Sequence, residues 1–134
     1  MNIHKEYRSE LSVEVLFKAW VSPEMTIEPV TRIECNPVTN GNFTLCTQGE
    51  YGEGVMNGKF KLVSPNHKLV YSWKWTHSDE ETEVTVVFNA GADGTLIEVN
   101  HTGFDSNESR DLHDAGWDHY FNNLQEKIRQ VWEH

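Results

Sequence analysis

From Ile27 to Gly103 apolar side chains recur at every second residue, and from about Ser109 to Trp132 they recur at helical spacing. A period of two puts alternate side chains on opposite faces of a strand, whereas a period of 3.6 gathers them into one stripe of a helix. Each stretch therefore presents one apolar surface that the other is placed to cover. Turn formers at Asn40-Gly41, Gly49 to Gly54, Ser64-Pro65-Asn66, Ser78 to Glu81 and Gly91 to Gly94 divide the first stretch into about six strands joined in sequence, as in an antiparallel meander. Phe43, Leu45, Phe60, Leu62, Leu69, Tyr71, Trp73, Trp75, Val84, Val86, Phe88, Ile97 and Val99 share the inner face of that sheet. Lys59, Lys61, Lys74, Thr85 and Glu98 fall on the other, which meets water.

The N-terminal region predicts a strand and then a helix. Met1 to Glu10 reads as an edge strand through Ile3 and Tyr7, and Ser12 is placed to cap a helix whose Val13, Leu16, Phe17 and Trp20 form one stripe. Ser22-Pro23 ends that helix, and Pro23 suits the first position of a second short helix through Glu24 and Met25. In the last segment His113, Gly116, Trp117, Tyr120, Phe121, Leu124, Ile128 and Val131 occupy one broad face, with Asp114, Asp118, Asn122 and Gln125 opposite. A helix of about 24 residues spans roughly 36 Å, enough to cross the sheet.

Length and charge narrow the function. A chain of 134 residues fits a single domain over 1–134, without separate cofactor and substrate domains. With 21 acidic residues against 11 Lys plus Arg, the net charge of −10 repels phosphate backbones and anionic lipid, which argues against nucleic acid and membrane surfaces as partners. No apolar run approaches the roughly 20 residues of a membrane helix, and Met1 to Glu10 lacks a signal-peptide core, so the expected location is cytoplasmic. The two cysteines are then expected as free thiols, although a two-residue turn at Asn40-Gly41 would set Cys35 opposite Cys46. A bulge near Pro37, which lacks an amide proton, is the competing arrangement.

Several strings, in order, resemble one known family. They are Val15-Leu16-Phe17-Lys18-Ala19-Trp20 with Ser22-Pro23-Glu24, Gly58-Lys59-Phe60-Lys61-Leu62, Leu69-Val70-Tyr71-Ser72-Trp73 and Thr82-Glu83-Val84-Thr85-Val86-Val87-Phe88. Gly94-Thr95-Leu96-Ile97-Glu98-Val99-Asn100-His101-Thr102-Gly103-Phe104 follows, and then His113, Gly116-Trp117 and Leu124. The chain is similar in this to the activator of heat shock protein 90 ATPase homologue-like family of the START and birch-pollen-allergen-like (SRPBCC) superfamily. The resemblance implies an α+β helix-grip fold: a curved antiparallel sheet of about six to seven strands wraps a long C-terminal helix and encloses a cavity. Two departures touch the end of that cavity. Met25 to Val30 is short and lacks the family's tryptophans, and Pro37-Val38-Thr39-Asn40-Gly41 replaces its usual arginine and paired glycines.

The candidate ligand-binding residues are Phe60, Tyr71, Trp73, Trp75, Val86, Phe88, Val99, His101, His113 and Trp117. They line the face where such a cavity would lie, and bulky apolar side chains with a few polar groups are what small-molecule sites contain. A filled aromatic core is the alternative, because a small domain needs its aromatics to fold. His101 falls on the inner face with Ile97 and Val99, either as a ligand donor or base or as a buried structural histidine. His113 and Trp117, four apart, share a helix face. Glu50, Tyr51 and Glu53 fall at the rim. Seven histidines are present, but none are paired at helical metal spacing and the cysteines form no C-x-x-C, so no metal and no cofactor is expected. The expected partner is a small apolar or aromatic molecule, bound without catalysis by a monomer or homodimer. The family name suggests a chaperone or other protein as the alternative partner. Some superfamily members act as cyclases or dehydratases on polyketide-like or aromatic substrates, which gives a third reading with His101 as acid or base.

Overall fold

The computed structural model describes residues 2–49 and 52–132. Every break read from the sequence separates two strands: β2 (Val30–Cys35), β3 (Asn42–Gly49), β4 (Gly52–Ser64), β5 (Lys68–Trp75), β6 (Glu81–Gly91) and β7 (Gly94–Thr102) follow one another as a meander. β1 (Asn2–Ser9) precedes helix α1 (Val13–Trp20), and α2 (Asn107–Trp132) ends the described chain. The sheet has seven antiparallel strands in the order β1-β7-β6-β5-β4-β3-β2, so β1 and β2 are its edges. Ser12 caps α1 by accepting the Val15 amide, and Leu16, Phe17, Ala19 and Trp20 are buried. α2 buries Trp117, Phe121, Leu124 and Ile128 against the sheet.

The inner face follows the alternation closely through β5, β6 and β7, where Leu69, Tyr71, Val84, Val86, Phe88, Ile97, Val99 and His101 are all buried. β1 latches the helix to that side. Tyr7 stacks on Phe121 at 4.4 Å and donates from its hydroxyl to Asp118 at 2.9 Å, while Lys5 pairs with Asp114 and Asp118. Ser9 donates to the Gln125 side chain at 2.9 Å.

Three expectations are corrected. The second short helix does not form: Ser22 closes one turn, its hydroxyl taking the Glu24 amide and its carbonyl the Met25 amide, and the chain then runs without helix to β2. Nucleating a helix is costly, and Thr26, Ile27 and the pre-proline Glu28 leave no residues suited to extending it. Met25 and Ile27 are buried instead and hold the segment as a loop. Second, Leu62 faces outward at 40% exposure, because the β4–β5 register shifts between Phe60 and Leu62. The extra residue reverses the alternation, and Val63 packs against the core in its stead. Third, Cys35 and Cys46 do not oppose each other. Cys35 faces Phe43, and Cys46 faces Arg32, since residues 36–41 form a wider loop around Pro37, closed by the bond from the Gly41 amide to the Val38 carbonyl. A Cβ on Gly41 would lie 2.0 Å from the Asn36 carbonyl oxygen, so the loop requires glycine there. Both thiols are free, and burial pushes that of Cys35 up to about 11.

Candidate ligand cavity

A cavity of about 900 Å³ lies where α2 stands off the β2–β5 side of the sheet. Ile33, Phe43 and Leu45 form its floor, and Tyr71, Trp73 and Trp75 rise along β5. His113, Gly116, Trp117 and Tyr120 close it from α2, Ala19 and Trp20 from α1, and Met25, Ile27 and Pro29 from the loop before β2.

The ring nitrogens of Trp73, Trp75 and Trp117 are tied to two histidines, His113 in the cavity wall and His101 behind it. Trp73 and Trp75 both donate to Nε2 of His113, at 3.2 and 3.0 Å. His113 Nδ1 lies 2.8 Å from the carbonyl oxygen of Ser109, which only an N–H satisfies, so the proton is on Nδ1 and Nε2 is the acceptor. Trp117 donates to Nδ1 of His101 at 3.0 Å, which puts the His101 proton on Nε2, 2.6 Å from the Thr82 hydroxyl. Thr82 passes the chain on to the Trp73 carbonyl at 3.3 Å. Burial first, and then the neighbouring His113, lower the His101 pKa to about 3, so this imidazole is neutral. Both of its ring nitrogens are spent on protein groups.

A second polar feature lies deeper. The Trp20 indole donates to the Tyr71 hydroxyl at 3.2 Å, and Trp20 stacks on Trp117 at 5.9 Å. The Tyr120 ring stands edge-on to both, at 5.1 Å from Trp20 and 6.1 Å from Trp117. Burial raises the pKa of Tyr71 and Tyr120 above the ordinary phenol value, and for Tyr120 the proximity of Tyr71 adds to it. At the mouth are Glu28, Glu53, Glu80 and Glu108. Burial works against the Glu80 carboxylate, but hydrogen bonds from the Ser109 hydroxyl and the Asp105 amide hold its pKa below the usual value and pin the start of α2.

Of the residues singled out from sequence, Tyr71, Trp73, Trp75, His113 and Trp117 line the cavity. Phe60, Val86, Phe88 and Val99 are buried in the packed core, and His101 sits behind Trp117 and Trp73. Glu53 is at the rim, whereas Glu50 and Tyr51 lie outside the described residues. In the sequence Tyr120 reads only as an apolar-stripe position, Trp20 as a stripe position within a family-like string, and Thr82 only as part of such a string. On the outer face, the exposed His4 and Glu6 and the half-buried Glu98 bring possible ligand atoms within 4.8 Å of one another. Among the described residues no helix is long and apolar enough to cross a membrane.

The fold has solved counterparts. A protein of Mesorhizobium loti superposes with a TM-score of 0.83 at 22% identity over 98% of each chain. An AHSA1-like protein from Aeromonas hydrophila gives 0.77 at 20% identity, over 100% of this chain and 96% of that one. DynU16, a protein in the dynemicin biosynthetic locus, gives 0.80 at 15% identity, over 96% of this chain and 47% of its own. At these identities the likeness is one of fold. No curated protein matches the sequence. A family model, Activator of Hsp90 ATPase homolog 1-like protein, matches residues 10–129.

Proposed function

The chain belongs to the Activator of Hsp90 ATPase homolog 1-like family, and from that premise we propose that it binds a small hydrophobic or aromatic molecule in the cavity between the sheet and α2. The observation that carries this reading is the space itself: about 900 Å³ left open beside aromatic rings that a domain of this size would otherwise use to fill its core. The hydrogen bonds from Trp73, Trp75 and Trp117 to histidines support it, since they hold these lining rings in place before any ligand arrives. Bringing apolar rings out of water against those faces supplies the driving force, at roughly 25 cal/mol per Å².

The test is titration with N-phenyl-1-naphthylamine, an uncharged probe that brightens in apolar surroundings, against the wild type and Leu45→Trp. Leu45 lies on the cavity floor, so the larger ring plugs the space. Saturable binding to the wild type and its loss in a variant with an unchanged circular dichroism spectrum are expected. Absence of binding to the wild type, or equal binding to the plugged variant, overturns the proposal.

A further inference from the structure

Resting on the ligand-binding reading above, we infer that the cavity selects uncharged ring compounds bearing a carbonyl or similar acceptor, held by the hydroxyl protons of Tyr71 and Tyr120, and that it rejects carboxylates. Four indoles line the cavity, and each has spent its N–H inside the protein: Trp20 on Tyr71, Trp73 and Trp75 on His113, Trp117 on His101. The Tyr71 oxygen receives the Trp20 proton, yet its own hydrogen meets no acceptor among the described residues, although the side chain is only 3% exposed. The Tyr120 hydroxyl has no hydrogen-bond partner among the described residues. Tyr71 is buried and Tyr120 is half-buried at the cavity wall, so a ligand acceptor that reaches either phenol hydrogen gives it a partner that the described residues do not supply. Their raised pKa values keep both phenols protonated, hence donors, at neutral pH.

Charge sets the other half of the selection. The carboxylates lining the mouth are Glu28, Glu53, Glu80 and Glu108, and no lysine or arginine lines the cavity among the described residues. A carboxylate ligand would pass four like charges and lose its water without meeting a lysine or arginine among the described residues, where His77, His113 and His119 are the remaining titratable lining groups, whereas a ketone loses little hydration and gains two donors.

Three naphthalenes of one shape separate these effects: 2-ethylnaphthalene, 2-acetylnaphthalene and 2-naphthoate, each measured at pH 7 by displacement of N-phenyl-1-naphthylamine. In the wild type the ketone is expected to bind about tenfold more tightly than the hydrocarbon, and the naphthoate at least tenfold more weakly. The Tyr71→Phe, Tyr120→Phe double variant is expected to close the gap between ketone and hydrocarbon while leaving hydrocarbon affinity within about threefold. Tyr120→Phe alone removes a hydroxyl that bonds to nothing among the described residues, so it narrows the gap in a folded chain even if the Tyr71 change disturbs Trp20. Equal binding of ketone and hydrocarbon, a gap that survives in the double variant, or naphthoate as the tightest of the three overturns this inference and leaves the cavity reading standing. Failure of the hydrocarbon and the reporter probe to bind at all overturns both.

Discussion

The same helix meets the same sheet in two ways. Toward its C-terminal end α2 packs Phe121, Leu124 and Ile128 into a filled core, with β1 clamped alongside through Tyr7, Lys5 and Ser9. Toward its N-terminal end it carries His113, Trp117 and Tyr120 over Trp73 and Trp75, and about 900 Å³ remains open. At the filled end the aliphatic Leu124 and Ile128 are buried beside the stacked pair of Phe121 and Tyr7. At the open end, tryptophans hydrogen-bonded to histidines are held by their edges and cannot turn to fill the space between them. Aromatic bulk alone does not make a core; where the ring nitrogens are anchored decides whether rings fill space or enclose it.

Four experiments test whether the two ends differ in this way. Leu124→Ala at the filled end leaves a void and is expected to cost about 3–5 kcal/mol, against about 2 for Leu45→Ala, which only widens an existing cavity. Denaturant unfolding checks this, and equal costs would mean the two ends are packed alike. The next effect is in pH. His101 is neutral in the fold, with a pKa near 3, while the unfolded chain takes up its proton near 6.5, so the unfolded state binds more protons between those values. Stability is therefore expected to fall as pH drops through that window, by up to about 1.4 kcal/mol per unit from this residue, and His101→Gln should flatten the slope by nearly one proton. A third substitution, Gly116→Leu, adds a side chain to a helix position where a Cβ meets open space at the cavity wall. It is expected to stabilise the protein by about 0.5–1 kcal/mol while weakening N-phenyl-1-naphthylamine binding, and a loss of stability would show that the wall is already closed there. The smallest effect belongs to the clamp: Lys5→Ala removes a half-exposed ion pair with Asp114 and Asp118, for about 0.5 kcal/mol, with probe affinity unchanged.

Strand limits were readable because glycine, proline and asparagine interrupt the alternation at each turn, and these residues act through their own backbone preferences. What depended on partners was not readable. Leu62 alternates correctly with Phe60 in the sequence, and only the pairing of β4 with β5 places an extra residue there that turns it outward. Nothing in the alternation separates Phe60, which is core, from Trp73, which is wall, because both occupy inward positions and the distinction arises from where the helix lifts away. Of the site, His113 and Trp117 are visible as a pair four apart on one helix face, whereas Tyr120 reads like any other stripe residue, and only the structure shows its hydroxyl without a partner among the described residues.

The clamp formed by β1 also bears on folding kinetics. The strands β2 to β7 zip up through neighbouring hairpins, but β1 joins β7 only across nearly the whole chain: His4 and Asn100, bonded at 2.8 Å, are 96 residues apart in sequence. Contacts of such separation gain nothing until the intervening structure exists to receive them. Substitutions in β1 should thus leave the refolding rate nearly unchanged and accelerate unfolding, so that this strand governs how long the molecule stays folded more than how fast it gets there.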